Sequence, residues 1–119
     1  MGTLSPHFNR EEFQCQCGCG FNTVDYELIN VLEDLREHFK CSVHINSGCR
    51  CPAHNEAVGG EDASKHMFGI AADVVVNNVS EHKVADYLEY MYPTKYGIGR
   101  YKGRTHIDIR KEPARWSKL

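Results

Sequence analysis

An imidazole and a carboxylate stand seven residues apart in "SKHMFGIAADV", at His66 and Asp73, with Gly69 between them. Taken alone, the pair reads equally well as two unrelated polar residues flanking an apolar segment. On one helix, seven residues would return both side chains to the same face but about 10.5 Å apart along the axis, too far for one metal ion to bridge. Gly69 permits a bend, so that His66 on a loop and Asp73 on a following strand can converge. A third ligand type is available in "THIDIR", where alternation places Ile107 and Ile109 toward a core and His106, Asp108 and Arg110 on the opposite side. Ionisable groups on one face of an apolar hairpin need partners. Two histidines and one carboxylate are a donor set that catalytic zinc uses, with a fourth position left for water. An edge hairpin showing its polar face to solvent would produce the same alternation.

The elements that must carry these residues follow from periodicity. Leu28, Val31, Leu32, Leu35 and Phe39 recur at helical spacing and predict an amphipathic helix over Asp25 to Lys40, with "FNT" as its cap. "SVHINSG" alternates as a strand, and "CPAHNEAVGG" reads as a short helix with proline in its first turn and glycines after its end. "IAADVVV" is β-branched and almost wholly apolar, as a central strand should be. Ser80 caps a second amphipathic helix through Val84, Leu88 and Met91, which Pro93 stops. "YGIGRY" and "THIDIR" flank "KG" as a hairpin. The expected class is α+β, a small, mostly antiparallel sheet with helices packed on it.

The chain has 119 residues, a length that predicts one domain over 1–119, with a cysteine-rich segment at 1–21. Its formal charge is −2, and the basic residues are dispersed, so no nucleic-acid-binding stripe is expected. The apolar runs are far shorter than the roughly 20 residues of a membrane span, and "MGTLSPHFNREEF" has no apolar stretch of the kind a secretory signal needs. A soluble monomer is expected, exported, if at all, by another route.

Six cysteines are many for this length: Cys15, Cys17 and Cys19 in "CQCGCG", Cys49 and Cys51 in "SGCRC", and Cys41 between. Disulfides, a structural metal and free thiols all remain open. No Cys-x-x-Cys pair marks an ordinary zinc ribbon, yet the three thiols of the glycine-containing loop could chelate together with Cys51. On an extended segment Cys49 and Cys51 would sit about 6–7 Å apart, so they pair outward more readily than with each other.

Three blocks, "INSGCRCPAHNEAVGG", "SKHMFGIAADV" and "GIGRYKGRTHIDIR", resemble the signature blocks of the zinc murein peptidases, which comprise D-alanyl-D-alanine carboxypeptidases and L-alanyl-D-glutamate endopeptidases of hedgehog-like fold. The resemblance runs in order from about Phe8 to Trp116, and Ser64, His66, Gly69, Ala71 and Asp73 match its central pattern. It implies His66, Asp73 and His106 as ligands of Zn2+. It implies that Arg50, in "SGCRCP", holds a substrate carbonyl or carboxylate and stabilises a developing oxyanion, a task suited to a planar, permanently charged fork. It further implies that zinc polarises the scissile peptide carbonyl and acidifies a water, so that hydroxide forms near neutral pH.

The chain departs from several members of that family at Gly103, three residues before His106, where they carry an acidic base. Asp108 is the expected substitute, as base or as support for a ligand; His44, His54 and His82 are further imidazoles, and Ser64 is expected to support the His66 loop. The implied partner is a peptidoglycan peptide, met outside the cytoplasm in the periplasm or beyond the cell, with a phage-encoded lysis or tail enzyme as one source. The alternative is a zinc-stabilised wall-binding or structural module without chemistry.

Overall fold

Six consecutive residues with small or β-branched apolar side chains, broken only by one aspartate, form the middle of the sheet. The computed structural model describes residues 4–19, 22, 24–59 and 65–118. Its strands are β1 (Val43–Ser47), β2 (Ala71–Val76), β3 (Gly97–Tyr101), β4 (Arg104–Asp108) and β5 (Ala114–Lys118). They lie in the order β1-β2-β4-β3-β5. All neighbours are antiparallel except β3 and β5, which run parallel. The class is therefore α+β with a mixed, mostly antiparallel sheet, as expected, and β5 is an addition that the hairpin alone did not imply.

Alternation gives the sheet two unlike faces. Val43 and Ile45 of β1, Ala72, Val74 and Val76 of β2, Ile98 of β3 and Ile107 of β4 all belong to one buried apolar cluster. Helices α1 (Tyr26–Phe39) and α3 (Glu81–Met91) close that cluster with Leu28, Val31, Leu32 and Leu35 from the first and Val84, Ala85 and Leu88 from the second. The residues between the core positions, Asp73 on β2 and His106 and Asp108 on β4, are buried too, but on the other face.

The helix boundaries correct two details of the sequence reading. Asp25 caps α1, its carboxylate accepting from the Glu27 backbone N–H at 2.8 Å. The expected cap, Phe21–Asn22–Thr23, lies further upstream, and Phe21 and Thr23 fall outside the described residues. Met91 ends α3 but is exposed, so the inner stripe of that helix stops at Leu88. Ser80 caps α3 as expected, accepting from the Lys83 N–H, and α2 (Pro52–Ala57) begins with proline in its first turn.

Two short 3-10 turns, at Arg10–Phe13 and Lys65–Phe68, complete the described chain. The second carries His66, placed by the sequence reading on a loop. Gly69 follows it with φ +70°, a conformation costly to any residue with a Cβ, and its carbonyl accepts from the Asp25 N–H at 2.9 Å. No helix among the described residues is long and apolar enough to cross a membrane.

Leu32 is wholly buried on the inner face of α1. Replacing it with alanine is expected to lower stability by about 2–5 kcal/mol, measured as a reduced urea midpoint at unchanged slope.

Candidate metal centre

β2 and β4 set the site by register. Asp73 pairs directly with His106, and Ala71 with Asp108, so the alternating polar residues of both strands face the same side of the sheet. Asp73 and His106 meet there, with the His106 Nδ1 3.0 Å from Asp73 Oδ1. His66 arrives from the turn after α2, its Nε2 3.5 Å from Asp73 Oδ2. One donor atom from each of the three lies within 4.8 Å of the other two, and all three residues are buried. Gly69 thus accomplishes the convergence expected of it.

The remaining ring nitrogens decide what this cluster can hold. His66 Nδ1 lies 2.6 Å from the Gly48 carbonyl oxygen, which can only accept, so the proton sits on Nδ1 and the Nε2 lone pair faces Asp73. His106 Nε2 lies 2.8 Å from the Asp108 carboxylate, which fixes the opposite tautomer and turns the Nδ1 lone pair toward Asp73. Two imidazole nitrogens and a carboxylate gathered within 4.8 Å of one another, each imidazole with an acceptor behind it, are the donor set of a three-ligand zinc site.

When no cation stands between them, the same ring nitrogens carry the proton that Asp73 accepts. Burial alone would raise the Asp73 pKa, but hydrogen bonds and charge from His106 and His66 outweigh it and hold the carboxyl well below its usual range. Burial opposes charge on His106, yet its hydrogen bonds to Asp108 and Asp73 win and push its pKa up. Burial likewise opposes the Asp108 charge, while His106 and Arg110 keep it ionised far below the ordinary value.

Of the two roles expected of Asp108, base or support for a ligand, its placement fits the second. Its side chain is 0% exposed and stands behind the His106 ring, on the side away from Asp73. Its oxygens accept from Arg110 Nε and Nη2, both at 2.7 Å, from the Arg110 and Gly97 backbone N–H groups at 3.2 Å, and from His106. Such a carboxylate orients its imidazole and has no face open to a reacting water. Gly103 sits in the β3–β4 turn with φ +82° and offers no side chain in place of the family's acid.

Arg50 does reach the cluster. Its Nη2 lies 3.6 Å from Asp73 Oδ2, while Nε donates to Ser47 Oγ at 3.4 Å and Nη1 to the buried Asn55 Oδ1 at 3.2 Å. The guanidinium is thereby fixed beside the three clustered residues, 15% exposed. His44 and His82 are exposed, on β1 and in the first turn of α3, and His54 is half-buried in α2. Ser64 falls outside the described residues.

Two neighbours escaped the sequence reading. Arg104 lies with its Nε 3.8 Å from Asp73 Oδ2 and its guanidinium over the Tyr101 ring, and its position two residues before His106 was the available signal. Trp116 lies with its ring centroid 5.1 Å from that of His106, tilted by 49°, and nothing local in the sequence foretold it. Its approach depends on "GIG". In register with both His106 and Trp116, Gly99 leaves room for the indole, where a Cβ would come within 2.4 Å of Trp116 Nε1. A Cβ on Gly97 would lie 2.5 Å from the Asp108 carboxylate.

Asp108→Asn is expected to weaken zinc binding by about 10–100-fold in a chelator competition, because the His106 tautomer loses its anchor. Zinc affinity in the unaltered chain should fall as pH is lowered, since protons compete for His106, whose raised pKa favours the imidazolium; the same competition run at a series of pH values measures this.

No curated protein matches the chain. A model of the Peptidase M15 family matches residues 6–108. That span contains β1 to β4, all three residues of the cluster, Arg50 and Asp108, and a match over most of the sequence places the chain in the Peptidase M15 family, whose members are zinc peptidases.

Proposed function

We propose that the chain hydrolyses a peptide bond in the stem peptides of bacterial peptidoglycan, as a carboxypeptidase or endopeptidase, with His66, Asp73 and His106 as ligands of one zinc ion. The observation that carries this reading is the convergence of two oriented imidazole lone pairs and a carboxylate beside a fixed arginine. When bound, zinc supplies Lewis acidity to the scissile carbonyl and lowers the pKa of water to near neutrality.

The chain's own residues supply the rest. Arg50, held by Ser47 and Asn55, presents charge to a substrate carbonyl or carboxylate and to the oxyanion that develops during attack. Asp108 acts through His106, holding its ring, and Arg110 neutralises Asp108 so that the buried carboxylate remains ionised. Arg104, 40% exposed at the edge of the cluster, is a second cation for an anionic stem peptide. The substrate is a cell-wall polymer, so the protein works in the periplasm or outside the cell, and a phage lysis or particle-associated enzyme fits that place.

Incubation of the purified chain with murein sacculi tests the reading. New muropeptide ends should appear, and a chelator should abolish them; unchanged muropeptides in both samples would favour the wall-binding alternative. Arg50→Ala should lower turnover by about 10²–10³-fold while zinc content stays the same, measured by chromatography of released peptides alongside metal analysis.

A further inference from the structure

The cysteines form a second constellation. Cys15, Cys17, Cys19 and Cys51 each bring a sulfur within 4.8 Å of the other three. Cys15 and Cys17 are 3.5 Å apart, Cys17 and Cys51 3.6 Å, and Cys15 and Cys51 3.8 Å. A disulfide requires about 2.05 Å. Four sulfurs arranged tetrahedrally around zinc, each at about 2.3 Å, have edges of about 3.8 Å, and the three observed separations fall at that value or just below it.

The local chain explains how a Cys-x-Cys-x-Cys stretch can do this. Alternate residues of an extended strand would stand about 6–7 Å apart. Here the chain turns instead: the Gly18 N–H donates to the Cys15 carbonyl at 3.3 Å, and Gly18 takes φ +86°. Cys51 comes from the other side, at the start of α2. Its backbone N–H donates to the Cys15 sulfur, and its own sulfur accepts from the His54 N–H, both at 3.4 Å. The other two cysteines stay apart: Cys49 donates to the Phe13 carbonyl at 3.0 Å, and Cys41 packs against the core.

We propose that Cys15, Cys17, Cys19 and Cys51 bind a structural zinc ion as a tetrathiolate, distinct from the His66–Asp73–His106 centre. Four thiolates fill the coordination sphere and leave no position for water, so this ion does no hydrolysis. It joins the segment after the first 3-10 turn to the turn that carries Arg50. A backbone hydrogen bond already links these segments, from the Cys49 N–H to the Phe13 carbonyl at 2.9 Å, and the Arg50 N–H ties the same turn to the His66 carbonyl at 2.9 Å.

Cobalt substitution of the full chain, purified under reducing conditions, provides the test. The cobalt protein should show the intense near-ultraviolet absorption of sulfur-to-cobalt charge transfer, and the zinc protein should contain about two ions per chain. Cys17→Ser combined with Cys19→Ser, both at exposed positions, should remove that absorption and lower zinc to about one ion. His66→Ala should instead keep the absorption and lose the other ion. A cobalt protein lacking the absorption overturns the proposal, as does a non-reduced mass short by four hydrogens, which would mean two disulfides. The spectrum is read on the unaltered chain, so it stands whether or not the variants fold. Inactivity on sacculi alongside a positive spectrum would sink the hydrolase reading and leave this one intact.

Discussion

A carboxylate buried in the middle of an apolar sheet is the constraint around which this molecule is organised. Asp73 interrupts a strand whose other residues are all apolar, and an uncompensated charge there would cost several kcal/mol. Every element near it contributes compensation. β4 supplies His106 directly across the ladder, the turn before β2 supplies His66, and the loop after β1 supplies Arg50. Among the described residues, no buried side-chain nitrogen or oxygen lacks a hydrogen-bond partner. A divalent cation among these donors would complete the compensation, which ties the folding of the sheet to the chemistry of the site.

The compensation extends outward in layers. His106 is held by Asp108, Asp108 by Arg110, and Arg110 lies over the Trp116 ring at 5.2 Å. This chain of contacts needs space above β3, and Gly97 and Gly99 provide it by having no side chains on that face, while Ile98 between them faces the core. One short strand therefore serves both sides of the sheet. Its apolar residue stabilises the helix-covered face, and its two bare positions admit the polar network opposite.

Much of this organisation was legible in the residues because it is periodic. The stripes of α1 and α3, the alternation in β1 and β4 and the apolar run of β2 follow from local spacing, and the glycine after His66 announced a bend. Reading His66, Asp73 and His106 as candidate ligands needed the resemblance, since a polar face on a hairpin is as consistent with solvent as with metal. What escaped the sequence is non-local. "ARWSK" carries no apolar alternation strong enough to mark β5, and its parallel pairing with β3 can be seen only in three dimensions. The side of His106 on which Asp108 stands depends on ring orientation. The meeting of Cys51 with the three earlier thiols was one of three readings the sequence left open, because it depends on two segments more than thirty residues apart being packed together.

Trp116 lies beyond the stretch that matches the family, and it is the chain's only tryptophan. Its indole rests 5.1 Å from the His106 imidazole and donates from Nε1 to the Tyr101 hydroxyl at 2.8 Å. The molecule consequently contains its own optical reporter. Emission from this one ring will sense the charge state and occupancy of the neighbouring imidazole, so that ion uptake and ligand arrival can be followed by intrinsic fluorescence without attaching a dye.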